Sequence, residues 1–212
     1  YNIHTLMERC FIIANGESRK DFDISRLWPY GKIIGINAIY RENPKIDYLV
    51  GVDIQMMNEV GDARYSDCEV WTYPRTQIKH TYFKRFEQDK GWSSGPTATF
   101  LALQKGFKEI YILGMDFCGI KKGGKEKLRI NNLYKNTKNY RDDKKEATFH
   151  GNWENQMRSN CNSVQGTKFI RVQRRDVTEF IFVPKKLRDV PNMSMIYYED
   201  LEVLLRAWPT FR

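Results

Sequence analysis

Short, unbroken apolar runs, each closed by a glycine, asparagine or aspartate, punctuate the first half of the chain. Residues 10–14 run into Asn15-Gly16, residues 32–36 end at Asn37, and residues 48–52 end at Asp53. Runs of this kind, bounded by turn formers and lacking polar alternation, predict strands covered on both faces, as in a parallel sheet. Further strands are predicted over 69–72, 110–113 (ending at Gly114), 169–172 and 194–197. Helical patterns fall between them. Asp53 is a suitable N-cap for a helix over 54–59. Residues 95–106 carry Pro96 in the first turn, where its missing N–H is harmless, and Gly106 at the end. Two more helices are predicted over 152–164 and over 199–208, the latter stopping before Pro209. Alternating strands and helices predict an α/β, Rossmann-like doubly wound fold with a mainly parallel sheet. There are no internal repeats and no linker, so residues 1–212 are expected to form one domain.

Residues 118–150 break the pattern. They are rich in lysine, glycine and asparagine and poor in aliphatic side chains. A connection that long inside a small domain predicts a lid or functional excursion. It also concentrates charge: the chain carries a formal +9, and Lys121, Lys122, Lys125, Lys127 and Arg129 form one group, with Lys135, Lys138, Arg141, Lys144 and Lys145 another. Arg171, Arg174 and Arg175 follow later. Such a balance favours phosphate-bearing partners, or is simply a solvated surface. No DNA- or RNA-binding motif accompanies it. No apolar run approaches the ~20 residues that span a bilayer, and no signal-peptide pattern opens the sequence. Cys10, Cys68, Cys118 and Cys161 are scattered, without zinc-type spacing, which fits a reduced, cytoplasmic setting.

The candidate chemistry lies where strands end. Asn15-Gly16-Glu17-Ser18 follows the first strand: glycine permits a tight turn and close backbone approach, and Asn15 and Ser18 can hydrogen-bond phosphate or ribose, or merely shape the turn. The run is neither a GxGxxG nor a P-loop. Asn37 and Asp53 share the same sheet edge if the strands are parallel, a position from which such folds read a nucleoside. Ser94 and Gly95 open a helix, a ready anion site. Asp116 ends the strand that runs into Gly114. His150, in a polar, glycine-flanked setting, is a candidate general base. No metal-ligating set is apparent, and a lone aspartate at a strand end makes no metal site.

Taken together, Phe11-Ile-Ile-Ala-Asn-Gly-Glu-Ser18, Asp23-Ile-Ser-Arg-Leu27, Gly35-Ile-Asn37, Ser94-Gly95 and Gly106-Phe-Lys-Glu-Ile-Tyr-Ile-Leu-Gly-Met-Asp-Phe117 resemble the bacterial sialyltransferases of glycosyltransferase family 42. They also resemble the wider set sharing that core, including the domain of unknown function 115 (pterin-pyrophosphokinase-like) group and its phage branch. The resemblance spans roughly residues 10–60 and 91–160. It implies a metal-independent enzyme, needing no cofactor, that transfers sugar from a cytidine-monophosphate-activated donor to a hydroxyl acceptor. Asn15 and Ser94 would contact the donor phosphate, Asn37 the nucleoside and Asp116 the nucleotide region, with His150 as base. Cys118 stands where the family has tyrosine; Tyr134 or Tyr140 is a candidate substitute. Asp53 stands where the family has a donor-contacting asparagine. Two alternatives accompany this reading. One is a non-catalytic phage or virion protein that keeps the fold for interaction, with a homo-oligomer left open. The other is a magnesium-dependent pyrophosphokinase using Asp53 and Asp116.

Overall fold

Strand β1 (Arg9–Ile13) lies at the centre of an eight-stranded sheet in the computed structural model, which describes residues 8–121, 128–142, 144, 146, 151–175, 184–210 and 212. From it the chain builds outward through β2 (Lys32–Ile36), β3 (Tyr48–Val50), helix α1 (Ile54–Asp62), β4 (Glu69–Thr72) and β5 (Lys84–Arg85). Helix α2 (Ser94–Gln104) then carries it back across the sheet to β6 (Glu109–Leu113), on the other side of β1. A two-stranded antiparallel ribbon, β7 (Ile120–Lys121) and β8 (Leu128–Arg129), stands apart. Helix α3 (Gly151–Asn162), β9 (Lys168–Gln173), β10 (Met193–Tyr197) and α4 (Tyr198–Ala207) complete the order β10-β9-β6-β1-β2-β3-β4-β5. Every neighbouring pair in this sheet is parallel. The fold is therefore α/β and Rossmann-like.

Successive side chains of a strand point to opposite faces, and each face has its own core. On one, Phe11, Ile13, Ile33 and Leu49 pack with Met57 of α1 and Leu201 and Leu205 of α4. On the other, Ile12, Ile34, Val50 and Ile112 pack with Leu101 of α2 and Met157 of α3. That double cover explains the unbroken apolar runs. Each of these fully buried aliphatic or aromatic side chains is worth about 1.5–3 kcal/mol relative to exposure.

The boundaries depart from the sequence expectations in small ways. The helix over 152–164 begins at Gly151 and stops at Asn162, and that over 54–59 extends to Asp62. β5 is only Lys84-Arg85, too short and too charged to show a pattern; its place comes from pairing with Trp71 and Thr72. The cationic group of residues 171–175 is not uniformly a surface feature. Arg171 points into the α2–α3 side of the sheet and is 3% exposed. Burial pulls its pKa down to about 10, against the opposing pull of Asp116.

Candidate active site

The chain leaves β1 toward one edge of the sheet and leaves β6 toward the other, so the two strands flank the topological switch point. Open parallel sheets form a crevice outside the strand carboxyl ends at that place. A cavity of about 280 Å³ lies there. Of the sequence-nominated residues, Asn15, Gly16, Asn37, Ser94, Gly95 and Asp116 all line it.

Its floor is the crossing of the two glycine turns. The Gly16 amide donates to the Gly114 carbonyl at 2.7 Å, continuing the β1–β6 ladder through the Ala14 amide and Leu113 carbonyl at 2.8 Å. The approach excludes a side chain at residue 16: a Cβ there would lie 2.4 Å from both Asp116 Oδ2 and the Gly114 oxygen. Asp116 is 4% exposed. Its Oδ2 accepts from the Ser18 amide at 3.1 Å and from Asn131 Nδ2 at 3.0 Å. Its Oδ1 is buried and has no hydrogen-bond partner among the described residues. Phe117 adopts φ +55, a left-handed conformation that an aromatic residue rarely holds, and packs beneath the Arg171 guanidinium at 5.1 Å. The same guanidinium donates to the Met115 carbonyl at 3.3 Å.

The amides of the first turn are already engaged. Gly16 donates to Gly114, Glu17 to Asn131 Oδ1 at 2.8 Å, and Ser18 to Asp116. The Asn15 side chain is likewise a lacing group: its Nδ2 donates to the Ile36 carbonyl at 3.0 Å, tying β1 to β2. Donors for an anion come instead from α2. The Ser94 and Gly95 amides have no intrahelical acceptor, and the helix dipole adds partial positive charge there, while the Ser93 amide donates to Gln156 Oε1 at 3.0 Å and Pro96 has no N–H. Ser93, Ser94, Gly95 and Pro96 bring that terminus to the cavity wall. The Ser94 hydroxyl donates to Asn37 Oδ1 at 3.0 Å, and Asn37 holds φ +54, so the end of β2 and the start of α2 are fixed against each other. A Cβ at Gly95 would meet the Met115 methyl at 2.8 Å, so the side chain that follows the Gly114 turn reaches the start of α2.

Four nominated residues lie elsewhere. Asp53 caps α1, accepting from the Met56 amide at 3.1 Å, and does not line the cavity. Tyr134 is buried behind the first turn, donating to the Glu42 carboxylate and accepting from Arg19 Nη2 at 3.0 Å. Tyr140 stacks beside it, ring centroids 5.8 Å apart. Ser18 contributes its amide to Asp116 and lines a different cavity. His150 lies outside the described residues.

Sequence reasoning missed Asn131. It donates to Asp116 and, at 3.0 Å, to the Cys118 carbonyl, and accepts from the Glu17 amide, so one side chain staples both glycine turns. Its segment is anchored further by the Leu133 amide on the Asn15 carbonyl at 2.8 Å and by Arg41, which donates to Thr137 and to the Lys138 carbonyl. An asparagine in a polar run carries no periodic signal. Arg171 had one: a lone cation inside an apolar strand. Trp153 of α3 and Cys118 also line the cavity, the Cys118 thiol pushed up to about 12 by burial and by Asp116. Among the described residues no group of three or more His, Cys, Asp or Glu is placed to hold a metal ion. None of their helices is long and apolar enough to cross a membrane.

No protein-family model matches the chain, and no curated protein does. Among solved structures, the monofunctional alpha-2,3-sialyltransferase Cst-I from Campylobacter jejuni is similar in fold. The TM-score is 0.56 at 13% identity, with 95% of this chain and 94% of that one covered.

Proposed function

We propose that the chain is a glycosyltransferase-like enzyme that binds a nucleotide-activated sugar, of the cytidine-monophosphate type, in the switch-point cavity. The observation that carries this reading is the buried Oδ1 of Asp116, without a hydrogen-bond partner among the described residues, in the same cavity as Ser94 and Gly95 at the start of α2. A nucleotide satisfies both at once: a ribose hydroxyl or base amine donates to the carboxylate, and the phosphate accepts from the helix amides. The likeness in fold to a sialyltransferase across nearly the whole chain supports the same choice. In this reading Asn37 and Ser94 orient the nucleoside and phosphate. The acceptor hydroxyl oxygen forms a bond to the anomeric carbon as the bond to the phosphate oxygen breaks. The acceptor proton passes to His150, and the departing phosphate charge is held at the start of α2. Cys118, Asn131 and Asn132, from the excursion over 118–150, wall the cavity on one side and help to exclude water. No metal is required, and no cofactor.

Cys118 favours a second reading, in which the chain binds nucleotide or a protein partner, such as a virion component, without turnover. A buried thiol does not replace a tyrosine hydroxyl as a donor to phosphate.

The test is thermal shift with cytidine monophosphate, its sugar conjugate and ATP, each with magnesium and with EDTA. A ligand at about a hundred times its Kd stabilises the native state by about 2.7 kcal/mol. The expected result is a rise with the cytidine ligands that EDTA leaves unchanged and that Asp116→Asn reduces. A rise confined to ATP with magnesium would replace this reading with pyrophosphoryl transfer. Binding of the sugar conjugate without release of cytidine monophosphate in the presence of acceptors would favour the second reading.

A further inference from the structure

Helix α3 presents one stripe of side chains to the start of α2. Residues spaced by three, four and seven share a helix face, and here these are Trp153, Gln156, Met157 and Asn160. Asn160 is 1% exposed, and its Nδ2 donates to the Pro96 carbonyl at 2.9 Å. One turn earlier, Gln156 Oε1 accepts from the Ser93 amide at 3.0 Å. Met157 is buried in the core that also holds Leu101 of α2. These contacts fix α3 against the first turn of α2, and Trp153 is the next residue along the stripe. It packs in part on the same core and lines the switch-point cavity. An indole held in this way has little freedom left to lose when it meets a ligand.

What the indole meets follows from the layers. In the donor reading, Asn37 and Asp116 serve the nucleoside, and they lie just past the ends of β2 and β6. Ser94 and Gly95, which serve the phosphate, open α2, and α2 and α3 pack on the same face of the sheet. The sugar of a nucleotide-activated donor hangs from the phosphate on the side away from the nucleoside. With the nucleoside at the strand ends and the phosphate at α2, that sugar extends toward α3. A pyranose has an apolar C–H face and a rim of hydroxyls, so it suits an aromatic surface accompanied by polar groups. Asn132 supplies one in the same cavity: its Oδ1 accepts from the Tyr134 amide at 2.8 Å, which leaves the Nδ2 end to donate.

We propose that Trp153 is the platform for the transferred sugar, a pyranose laid with its C–H face on the indole; this rests on the donor reading of the cavity. Trp153 then selects for the sugar half of the donor and leaves the nucleotide half to the strand ends and to α2.

The experiment is calorimetric titration of the full chain, of Trp153→Leu and of Trp153→Phe, each with cytidine monophosphate and with its sialic acid conjugate, in the absence of acceptor. Leucine keeps apolar contact with the core, and phenylalanine keeps a ring as well. The parent is expected to bind the conjugate more tightly than cytidine monophosphate. Trp153→Leu is expected to weaken the conjugate by about tenfold and Trp153→Phe by less, with cytidine monophosphate held within about twofold of the parent in both. That retained binding also shows that the variants are folded. Equal losses for the two ligands in both variants would overturn the proposal, because Trp153 would then serve the nucleotide or the fold. Unchanged binding of the conjugate in Trp153→Leu, or a parent that binds both ligands alike, would overturn it and leave the donor reading standing. A parent that binds neither ligand removes the donor reading and this proposal with it.

Discussion

Gly114 and Asp116 sit two residues apart and do opposite things. Gly114 holds φ +72, and a Cβ on it would lie 2.5 Å from the Ala14 carbonyl oxygen. Glycine is required there twice over, by conformation and by space. Gly114→Ala is expected to cost about 1–3 kcal/mol, read as a lower urea midpoint with an unchanged slope; an unaltered midpoint would show that the two turns do not press together. Asp116, by contrast, is fixed by bonding rather than by space: its Oδ2 accepts from the Ser18 amide and Asn131, while its Oδ1 is buried with no hydrogen-bond partner among the described residues.

Among the elements, the join between β2 and β3 rests on one carboxylate. Asp47 accepts from Lys32 Nζ at 3.0 Å, from the Ile33 amide at 2.9 Å and from both Arg212 Nη atoms at 2.8 and 2.7 Å. Burial works to raise its pKa, but the bonds from Arg212, Ile33 and Lys32 win and hold it below the ordinary carboxylate value. A carboxylate with a depressed folded pKa contributes stability above its unfolded value, and that contribution disappears as pH falls through the folded one. Asp47→Asn is therefore expected to lower the urea midpoint at neutral pH, with a cost of about 1–3 kcal/mol. The gap to the parent should close as pH falls below the carboxylate range. A gap independent of pH would assign the effect to packing rather than charge.

For the whole molecule, the switch point places the cavity over the most central pair of strands. β1 and β6 are covered on both faces and paired on both sides, whereas β5 is a two-residue edge. Amides of β1 and β6 are expected to exchange with solvent slowest and those of β5 among the fastest, so that the floor of the cavity is its most rigid part. Hydrogen exchange followed by mass spectrometry checks this; equal protection across the sheet would contradict it. The apolar runs, the capping aspartate at 53 and the glycines at 16 and 114 are local properties, and from them the sequence by itself determined the fold class and most of the strands. It also marked six residues that share one cavity, because strand ends in a parallel sheet meet at one edge whatever the loops do. Tertiary structure alone decided the rest. Asp53 is spent on a helix cap and Tyr134 on Arg19 and Glu42, while Asn131, far along a polar run, reaches back to staple both turns. Which donors are already satisfied depends on contacts between residues some hundred positions apart, such as Ser18 with Asp116 and Glu17 with Asn131, and no local pattern encodes a partner at that distance.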